Sequence, residues 1–395
     1  MLITAETIIT GDGKTLLREH GLVLDEGKIL AVERLERLRA DYPEQELTDF
    51  GAATILPGLM DMHIHLAYYD GRSDQGLYDD RLVAYLAQDL ARRQLHAGVT
   101  TLRDAYCPDG VCRQLALAAA KGWLEAPRLI HCNQALCISG GIDWKIDGTT
   151  QVDGVEEIRK AVRCQFRAGA QWIKAMTDWR TPGVAEFSLE ELQAIVEESH
   201  RLGHKAMAHA TMQPALALCI AAGFDSIEHG IHLTLEQGRI MAQRGIAWTP
   251  TVYVHQAVYE QLDRLAQEQG LAALSPRQQQ TYRIYGEALQ AYRDNFLPIY
   301  ETGVLVTAGT DCPFEGMEQV TVAQELECLV KLGLTPVQAI QTATANPARL
   351  LDMEGQIGLL APGAIADITV AEGDASADVT ALKRVRAVFQ AGRRI

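Results

Sequence analysis

The stretch Met60-Asp61-Met62-His63-Ile64-His65 is an apolar, β-rich run that ends in two histidines. It follows the short run 54–57, and we interpret the two together as the first predicted strand. Successive side chains of a strand point to opposite faces, so His63 and His65, two residues apart, point to the same face. Both imidazoles can therefore reach one metal ion, although a lone His-x-His pair is weak evidence for such a site.

Seven further apolar, β-rich runs follow along the chain, separated by longer helical stretches. This alternation is typical of βα units and indicates a parallel sheet, and eight is the number of strands that closes a (β/α)8 barrel. We therefore expect an α/β fold built on a distorted (β/α)8 TIM barrel. The seven runs cover residues 99–104, 128–132, 172–176, 205–209, 226–229, 247–253 and 304–311.

Two connections between these runs carry helix signals. Ser188 followed by Glu191 is typical of a capping box, so we expect a helix from 188 to 201 that Gly203 ends. The longest connection, 255–300, is rich in Gln, Ala, Leu and Arg and predicts two helices. It follows the seventh strand, which would place it as a roof over an active site.

Both ends of the chain read as short strands and turns, for example at 6–10 and at 385–390. Two strand-rich ends predict one shared domain. We therefore expect residues 1–56 to form the N-terminal part of a small β-sandwich domain and 351–395 its C-terminal part. The barrel would occupy 57–350.

The composition narrows the class of protein. The 395 residues include 36 Lys and Arg against 51 Asp and Glu, and a net charge of −15 repels nucleic acids and anionic lipid surfaces. No long apolar run and no secretory signal is present, so we expect a cytoplasmic protein without a membrane partner. Two cysteine pairs, Cys107 with Cys112 and Cys132 with Cys137, are five residues apart, and we expect them to be reduced thiols packed as small apolar groups.

Polar side chains of metal-binding type occur at the C-terminal ends of the predicted strands. In a closed barrel those ends meet at one rim, which carries the active sites of this architecture. The side chains can therefore meet in one site. They are His63, His65, Lys174, His209, His229 and Asp311.

The order of these residues resembles the amidohydrolase superfamily, in particular its branch of prolidase-like dipeptidases and imidazolonepropionase-like hydrolases. The residues that flank these positions also resemble those of the superfamily, over nearly the whole chain. The matching segments are 56–65 (LPGLMDMHIH), 97–104 (AGVTTLRD), 227–230 (IEHG), 308–311 (AGTD), 343–350 (ATANPARL) and 358–367 (GLLAPGAIAD).

The resemblance implies a binuclear metal site. His63 and His65 would hold one ion with Asp311, and His209 and His229 would hold the other. Lys174 would bridge the two ions as a carbamate formed with carbon dioxide, because an ordinary ammonium has no lone pair to offer. Imidazole and carboxylate ligands suit zinc best, and manganese, cobalt or iron are compatible with the same ligand types.

The same resemblance implies the chemistry. Two divalent ions share a water and lower its pKa, which supplies a hydroxide nucleophile at neutral pH. Asp311 would take the proton and deliver it to the leaving nitrogen. Tyr253, at the end of the seventh predicted strand, occupies the place of a group that stabilises the oxyanion, and a buried aromatic role is equally open. Arg72 and Arg180 are candidates to bind a substrate carboxylate.

Two loops depart from the family pattern. Gly140-Gly141 is followed by Ile142 rather than by a histidine, and Lys174 is followed by 177–180 (TDWR) rather than by a Ser-Gly-Gly run. Both loops line the substrate pocket, so the departure concerns the substrate rather than the metal chemistry. Asp61 and Asp104 match the family text at strand ends and are candidates to orient the ligands, or have ordinary turn roles.

The leading functional hypothesis is hydrolysis of a C–N amide bond in a small molecule, a dipeptide or an N-acyl amino acid. Hydrolysis of a cyclic amide comes next, then of an ester or lactone. A deaminase is a further alternative, although such enzymes usually lack the lysine of strand four. A non-catalytic scaffold would have lost ligands, and none is lost here. The sequence leaves a homo-oligomer open.

Overall fold

The computed structural model of the chain describes residues 1–67, 80–108, 110–142, 148–178, 183–312, 317 and 319–395. The N-terminal segment forms short strands and one short helix, α1 (Leu35–Asp41). The strands are β1 (Leu2–Thr4), β2 (Thr7–Ile9), β3 (Leu16–Leu17), β4 (His20–Asp25), β5 (Lys28–Arg34), β6 (Leu47–Asp49) and β7 (Ala53–Pro57).

Parallel strands fill the middle of the chain. They pair in two sheets, one in the order β10-β9-β8 and one in the order β12-β11-β13-β14-β15-β16-β17. Their bounds are β8 (Leu59–Ile64), β9 (Val99–Asp104), β10 (Arg128–His131), β11 (Ala135–Cys137), β12 (Thr149–Gln151), β13 (Trp172–Met176), β14 (Lys205–Ala210), β15 (Ser226–His229), β16 (Ala247–Thr249) and β17 (Leu305–Val306).

Main-chain hydrogen bonds join the two sheets into a distorted barrel. At one seam Met62 N donates to Ala308 O over 2.9 Å, which connects β8 to the segment after β17. At the other seam Gln171 N donates to His131 O over 2.9 Å, which connects β10 to the start of β13. The predicted α/β fold with parallel strands is confirmed, and the C-terminal ends of these strands share one rim.

Two predicted barrel strands are shorter than expected, since the runs 247–253 and 304–311 form only Ala247–Thr249 and Leu305–Val306, and one run lies elsewhere. The 54–57 run falls in β7, which pairs with β2 and with a C-terminal strand rather than with the barrel. Gly58 lets the chain pass from one sheet to the other, because a Cβ there would lie 2.2 Å from Thr100 Oγ1. The 247–253 run leaves the sheet after Thr249, and the prediction that Tyr253 lies in a strand was wrong.

Helices cover the outside of the parallel strands. The capping-box prediction is confirmed, since Ser188 and Glu191 cap the helix that begins at Leu189. The two helices predicted in 255–300 are also present, as α8 and α9. The helices are α2 (Asp80–His96), α3 (Val111–Ala120), α4 (Val155–Arg167), α5 (Leu189–Arg201), α6 (Ala215–Ala222), α7 (Leu235–Arg244), α8 (Val252–Gln269), α9 (Pro276–Tyr300), α10 (Val322–Lys331), α11 (Pro336–Thr342) and α12 (Ala345–Leu350).

Strands from both chain ends pair with each other. C-terminal strands β18 (Ile368–Glu372), β19 (Val385–Gln390) and β20 (Arg393–Arg394) join N-terminal strands in the order β20-β19-β18-β7-β2-β3. A second sheet, β5-β4-β1-β6, lies wholly in the N-terminal segment. The domain boundaries at 56/57 and 350/351 stay a prediction.

Buried apolar side chains pack against the barrel strands in two clusters. A large core fills the space between strands and helices, and a smaller cluster that includes Met60, Met62, Trp172 and Met207 also contains residues of α12. This packing holds the strand ends that carry the candidate site. No helix among the described residues is long and apolar enough to cross a membrane.

Candidate metal centre

The structure places five of the predicted ligands in or directly after parallel strands and Asp311 five residues after one, and all six are buried. His63 and His65 lie at the end of β8, and Asp311 follows β17, where Cys312 forms a bridge with Ile64. The other three side chains come from successive strands: Lys174 from β13, His209 from β14 and His229 from β15.

Three of these side chains converge on one point. The ligating atoms of His63, His65 and Asp311 all lie within 4.8 Å of one another. Asp311 Oδ1 lies 3.0 Å from His65 Nε2 and 3.4 Å from His63 Nε2. Two imidazoles and one carboxylate are a donor set that fits a divalent transition-metal ion such as zinc.

The remaining histidines continue this group. The ring of His229 lies 5.1 Å from that of His63 and 4.5 Å from that of His209, between centroids. His229 Nδ1 also lies 3.9 Å from Asp311 Oδ2. Burial lowers the pKa of both His63 and His229, and the charge of Lys174 acts in the same direction.

The protonation states suit a cation. Burial lowers the pKa of His63 to about 4, and the charge of Lys174 acts in the same direction, so at neutral pH the imidazole is uncharged. Burial opposes ionisation of Asp311, but the neighbouring imidazoles of His63 and His65 and the Lys174 charge hold the pKa of its carboxyl well below the usual range. A neutral imidazole and a carboxylate both offer lone pairs to a metal.

A buried ion pair orients His63. Its Nδ1 lies 2.6 Å from Glu228 Oε2, and Arg103 Nη2 donates to both oxygens of that carboxylate over 2.9 and 3.0 Å. Arg103 and Glu228 are fully buried, and the guanidinium also lies over the ring of Trp172. With its Nδ1 proton donated to Glu228, His63 keeps its Nε2 lone pair available to a metal ion beside Asp311.

Asp61 connects the two segments that carry ligands. Its Oδ1 accepts hydrogen bonds from the backbone N–H of His63 and of Thr310, each over 3.1 Å. Its Oδ2 accepts from Thr310 Oγ1 over 2.7 Å. Asp104 fixes the backbone at the residue after His65, because its Oδ2 accepts a hydrogen bond from Leu66 N over 2.7 Å. Both aspartates therefore hold backbone beside the predicted ligands.

The backbone is strained at the site. His229, Thr251 and Asp311 have φ angles of 66°, 52° and 55°, in the left-handed region that side chains other than glycine rarely adopt. Thr251 Oγ1 lies 2.8 Å from His229 Nδ1, so one strained residue hydrogen-bonds with another. Such conformations cluster at functional sites, where the surrounding structure compensates their cost.

Tyr253 lies in the first turn of α8, near the rim of the barrel, and is half-buried. Its backbone N–H donates to Glu325 Oε2 over 2.7 Å, and that of Val252 donates to Oε1 over 3.0 Å. The phenol packs beside Cys312, Met317 and neighbouring apolar side chains. It is therefore positioned by a helix terminus and the buried carboxylate of Glu325, not by the strand that the sequence predicted.

Sequence reasoning missed Glu228, Arg103 and Glu325. One signal was available: Glu228 lies in a short run predicted as a barrel strand, where it is fully buried, and a buried carboxylate requires a partner. Arg103 is the matching cation in β9, but its distance along the chain hides the pairing. Glu325 lies in α10 and has no sequence signal that connects it to Tyr253.

The predicted substrate loops are described only in part. Arg72 and Arg180 lie outside the described residues. Ile142, which replaces the family's histidine, is buried beside Tyr106 and Met176, and its backbone N–H donates to Glu186. The position after Gly140-Gly141 therefore holds an apolar side chain.

The chain matches the Amidohydrolase family over residues 54–395 and belongs to that family. It is a hydrolase that acts on carbon–nitrogen bonds. Members of the family generally use divalent metal ions, which agrees with the donor set of His63, His65 and Asp311.

Individual relatives agree with this assignment. The ochratoxinase of Aspergillus niger is 29% identical over 98% of this chain and 84% of its own length. The imidazolonepropionase of Pyrobaculum arsenaticum is 23% identical over 94% of this chain and 92% of its own. Among solved structures, an Xaa-Pro dipeptidase with bound methionine has a TM-score of 0.86 and 25% identity, covering 100% of this chain and 99% of that one.

Proposed function

We propose that the chain is a metal-dependent hydrolase of amide bonds in dipeptides or N-acyl amino acids. The observation that carries this proposal is the convergence of His63, His65 and Asp311, with ligating atoms within 4.8 Å of one another, beside the ring of His229. The likeness to an Xaa-Pro dipeptidase over the full chain supports a dipeptide-sized substrate.

In this proposal two divalent ions occupy the centre, most naturally zinc. His63, His65 and Asp311 would hold one ion, and His209 and His229 the other. Bound ions of this kind polarise a substrate carbonyl and lower the pKa of a water molecule toward neutrality. A cytoplasmic location stays a prediction, and a homo-oligomer stays open.

Lys174 would join the two ions as a carbamate. Burial lowers the pKa of its ammonium, against the carboxylates of Glu228 and Asp311, which raise it. The lowered pKa favours the neutral amine, which is the form that adds to carbon dioxide, with loss of one proton. Growth in ¹³C-bicarbonate followed by ¹³C NMR of the protein tests this, because a carbamate signal should be absent from Lys174→Ala.

Asp311 would carry the proton. Its carboxylate is ionised and lies 3.0 Å from His65 Nε2, at the centre of the ligand group. It would accept a proton from the attacking water, and then deliver it to the leaving nitrogen as the C–N bond breaks. The products are a carboxylic acid and an amine, so the water's atoms are fully accounted for.

Tyr253 would stabilise the oxyanion. Its phenol stays protonated at neutral pH, because burial raises its pKa above the ordinary value. A hydrogen bond from this phenol to the developing negative charge is typically worth a factor of about 10²–10³ in kcat. Tyr253→Phe should lower kcat with little change in KM, whereas a purely packing role would leave kcat near the wild-type value.

A library of dipeptides and N-acyl amino acids, offered to the zinc-loaded enzyme, tests the proposal. We expect turnover of at least one member and a loss of about 10²–10⁴-fold in kcat/KM for Asp311→Asn. Asp294→Asn, an exposed carboxylate in α9, is the matched control and should retain activity. Near-normal turnover by Asp311→Asn would contradict the assignment.

A cyclic amide is the second candidate substrate, and the likeness to an imidazolonepropionase favours it. Cyclic amides belong in the same library, and exclusive turnover of them would replace the dipeptide assignment. A deaminase would use a single ion, so one ion in the histidine site together with ammonia release would favour that reaction instead.

A further inference from the structure

A second group of ligating side chains lies beyond the end of β9, the strand that pairs with β8. Asp104 ends β9, Cys107 follows in the next loop, and Cys112 is the second residue of α3. Their ligating atoms all lie within 4.8 Å of one another, and all three side chains are buried to at least 99%. The five-residue spacing of the cysteines, which by itself predicted only apolar packing, thus brings two thiols to one carboxylate.

One oxygen of the Asp104 carboxylate is available for a ligand. Oδ2 accepts the hydrogen bond from Leu66 N, whereas Oδ1 has no nitrogen or oxygen donor in the described part of the chain, and the weakly donating thiol of Cys112 also contacts this carboxylate. A buried carboxylate oxygen without a donor is costly unless a cation or a proton compensates it.

The donor set selects a class of cation. Two thiolates with one carboxylate suit zinc and other thiophilic divalent ions, whereas magnesium and calcium prefer oxygen ligands alone. Burial raises the pKa of the Cys112 thiol, so a cation would have to displace its proton. The position of Cys112 in the first turn of α3, where backbone N–H groups point outward, favours the resulting thiolate.

We propose that Asp104, Cys107 and Cys112 form a second metal site that binds a thiophilic divalent cation such as Zn²⁺. Two sulfur–metal bonds and one oxygen–metal bond form, and the two thiol protons pass to solvent. The site joins the end of β9, the following loop and the start of α3. Because Asp104 also holds Leu66, the residue after His65, this site supports the backbone of a predicted ligand of the catalytic centre.

Cobalt is a suitable probe, because thiolate-to-cobalt charge-transfer bands distinguish sulfur ligands from the imidazoles and carboxylate of the other centre. The full chain is produced in cobalt-supplemented cells and its near-ultraviolet absorption is recorded. We expect such bands in the wild type and their loss in the Cys107→Ala/Cys112→Ala variant, together with about one equivalent of metal. Cys132→Ala/Cys219→Ala removes two equally buried thiols and should keep both.

Three results would overturn the proposal. These are a wild type without charge-transfer bands, bands of equal intensity in the Cys107→Ala/Cys112→Ala variant, or thiol titration in denaturant showing that Cys107 and Cys112 are joined as a disulfide. If the double variant does not fold, X-ray absorption of the zinc-loaded wild type decides, because sulfur neighbours are expected and their absence contradicts the site. Asp311→Asn should keep the bands, so failure of the proposed hydrolase leaves this test intact.

Discussion

The two ligand groups end neighbouring strands, yet their surroundings differ. His63 and His65, at the end of β8, are embedded in polar partners, which include Glu228 and Asp61. Cys107 and Cys112, beyond β9, lie within the apolar core between strands and helices. The polar surroundings set the orientation and charge of each imidazole in advance, as a catalytic centre requires. The apolar surroundings isolate the thiols from solvent, which suits a site that contributes to stability.

Arg103→Met should have the largest effect on the polar surroundings that distinguish the histidine group from the cysteine group. It leaves Glu228 buried without its cation, and removal of one partner of a buried ion pair costs about 3–5 kcal/mol. We expect a large fall in the unfolding free energy, measured by urea denaturation, and loss of metal from the histidine site. Arg264→Met, an exposed arginine of α8, is the control. A fall of less than about 1 kcal/mol would mean that the ion pair does not orient His63.

Gly309→Ala tests how closely the first and last barrel strands must approach. A Cβ at this position would lie 2.7 Å from His63 Cβ and 2.9 Å from His63 N, so the backbone of one segment must shift. We expect about 1–3 kcal/mol of destabilisation by thermal unfolding and weaker zinc binding by the histidine site. The cobalt–thiolate bands of the second site should be unchanged, and parallel loss of both signals would count against two separate sites.

Glu228→Gln sharpens the comparison with a smaller change. The amide keeps the shape of the side chain but removes the negative charge that stabilises the proton on His63 Nδ1. Loss of such an outer partner typically weakens metal binding about 10–100-fold. Competition with a chelator measures this affinity, and Glu287→Gln, exposed in α9, is the matched control. Unchanged zinc affinity would assign Glu228 a structural role only.

Glu198 provides a carboxylate distant from both groups, with the smallest expected effect. Hydrogen bonds from Arg201 and Arg163 lower its pKa to about 2. Its folded-state pKa is below the ordinary value of 4.5, so the stabilisation is present above about pH 4.5 and is lost as the pH falls toward 2. Glu198→Gln should therefore cost roughly 1 kcal/mol at pH 7 and almost nothing near pH 2. A difference that persists in acid would contradict this origin.

The local sequence pattern predicted much of the fold, because helices and strands can be recognised from hydrophobic periodicity and capping residues alone. The capped helix after Ser188 and the two helices predicted within 255–300 are examples. Tyr253 shows the limit of this reasoning. Its run is apolar and β-rich, yet Thr251 adopts a left-handed conformation and Glu325, from a distant helix, accepts hydrogen bonds from the first two residues of α8. A tertiary contact here overrides the local strand preference.

The amino-acid order by itself determined the α/β barrel and the six candidate ligands, because strand ends of a parallel barrel meet at one rim wherever the intervening helices lie. Only the tertiary structure decided which side chains support them. Arg103 pairs with Glu228, 125 positions away along the chain, and Asp104 lies beside Cys112 at the start of α3. Such contacts depend on strand register and helix packing, which arise from the whole core, so no short segment of the chain encodes them.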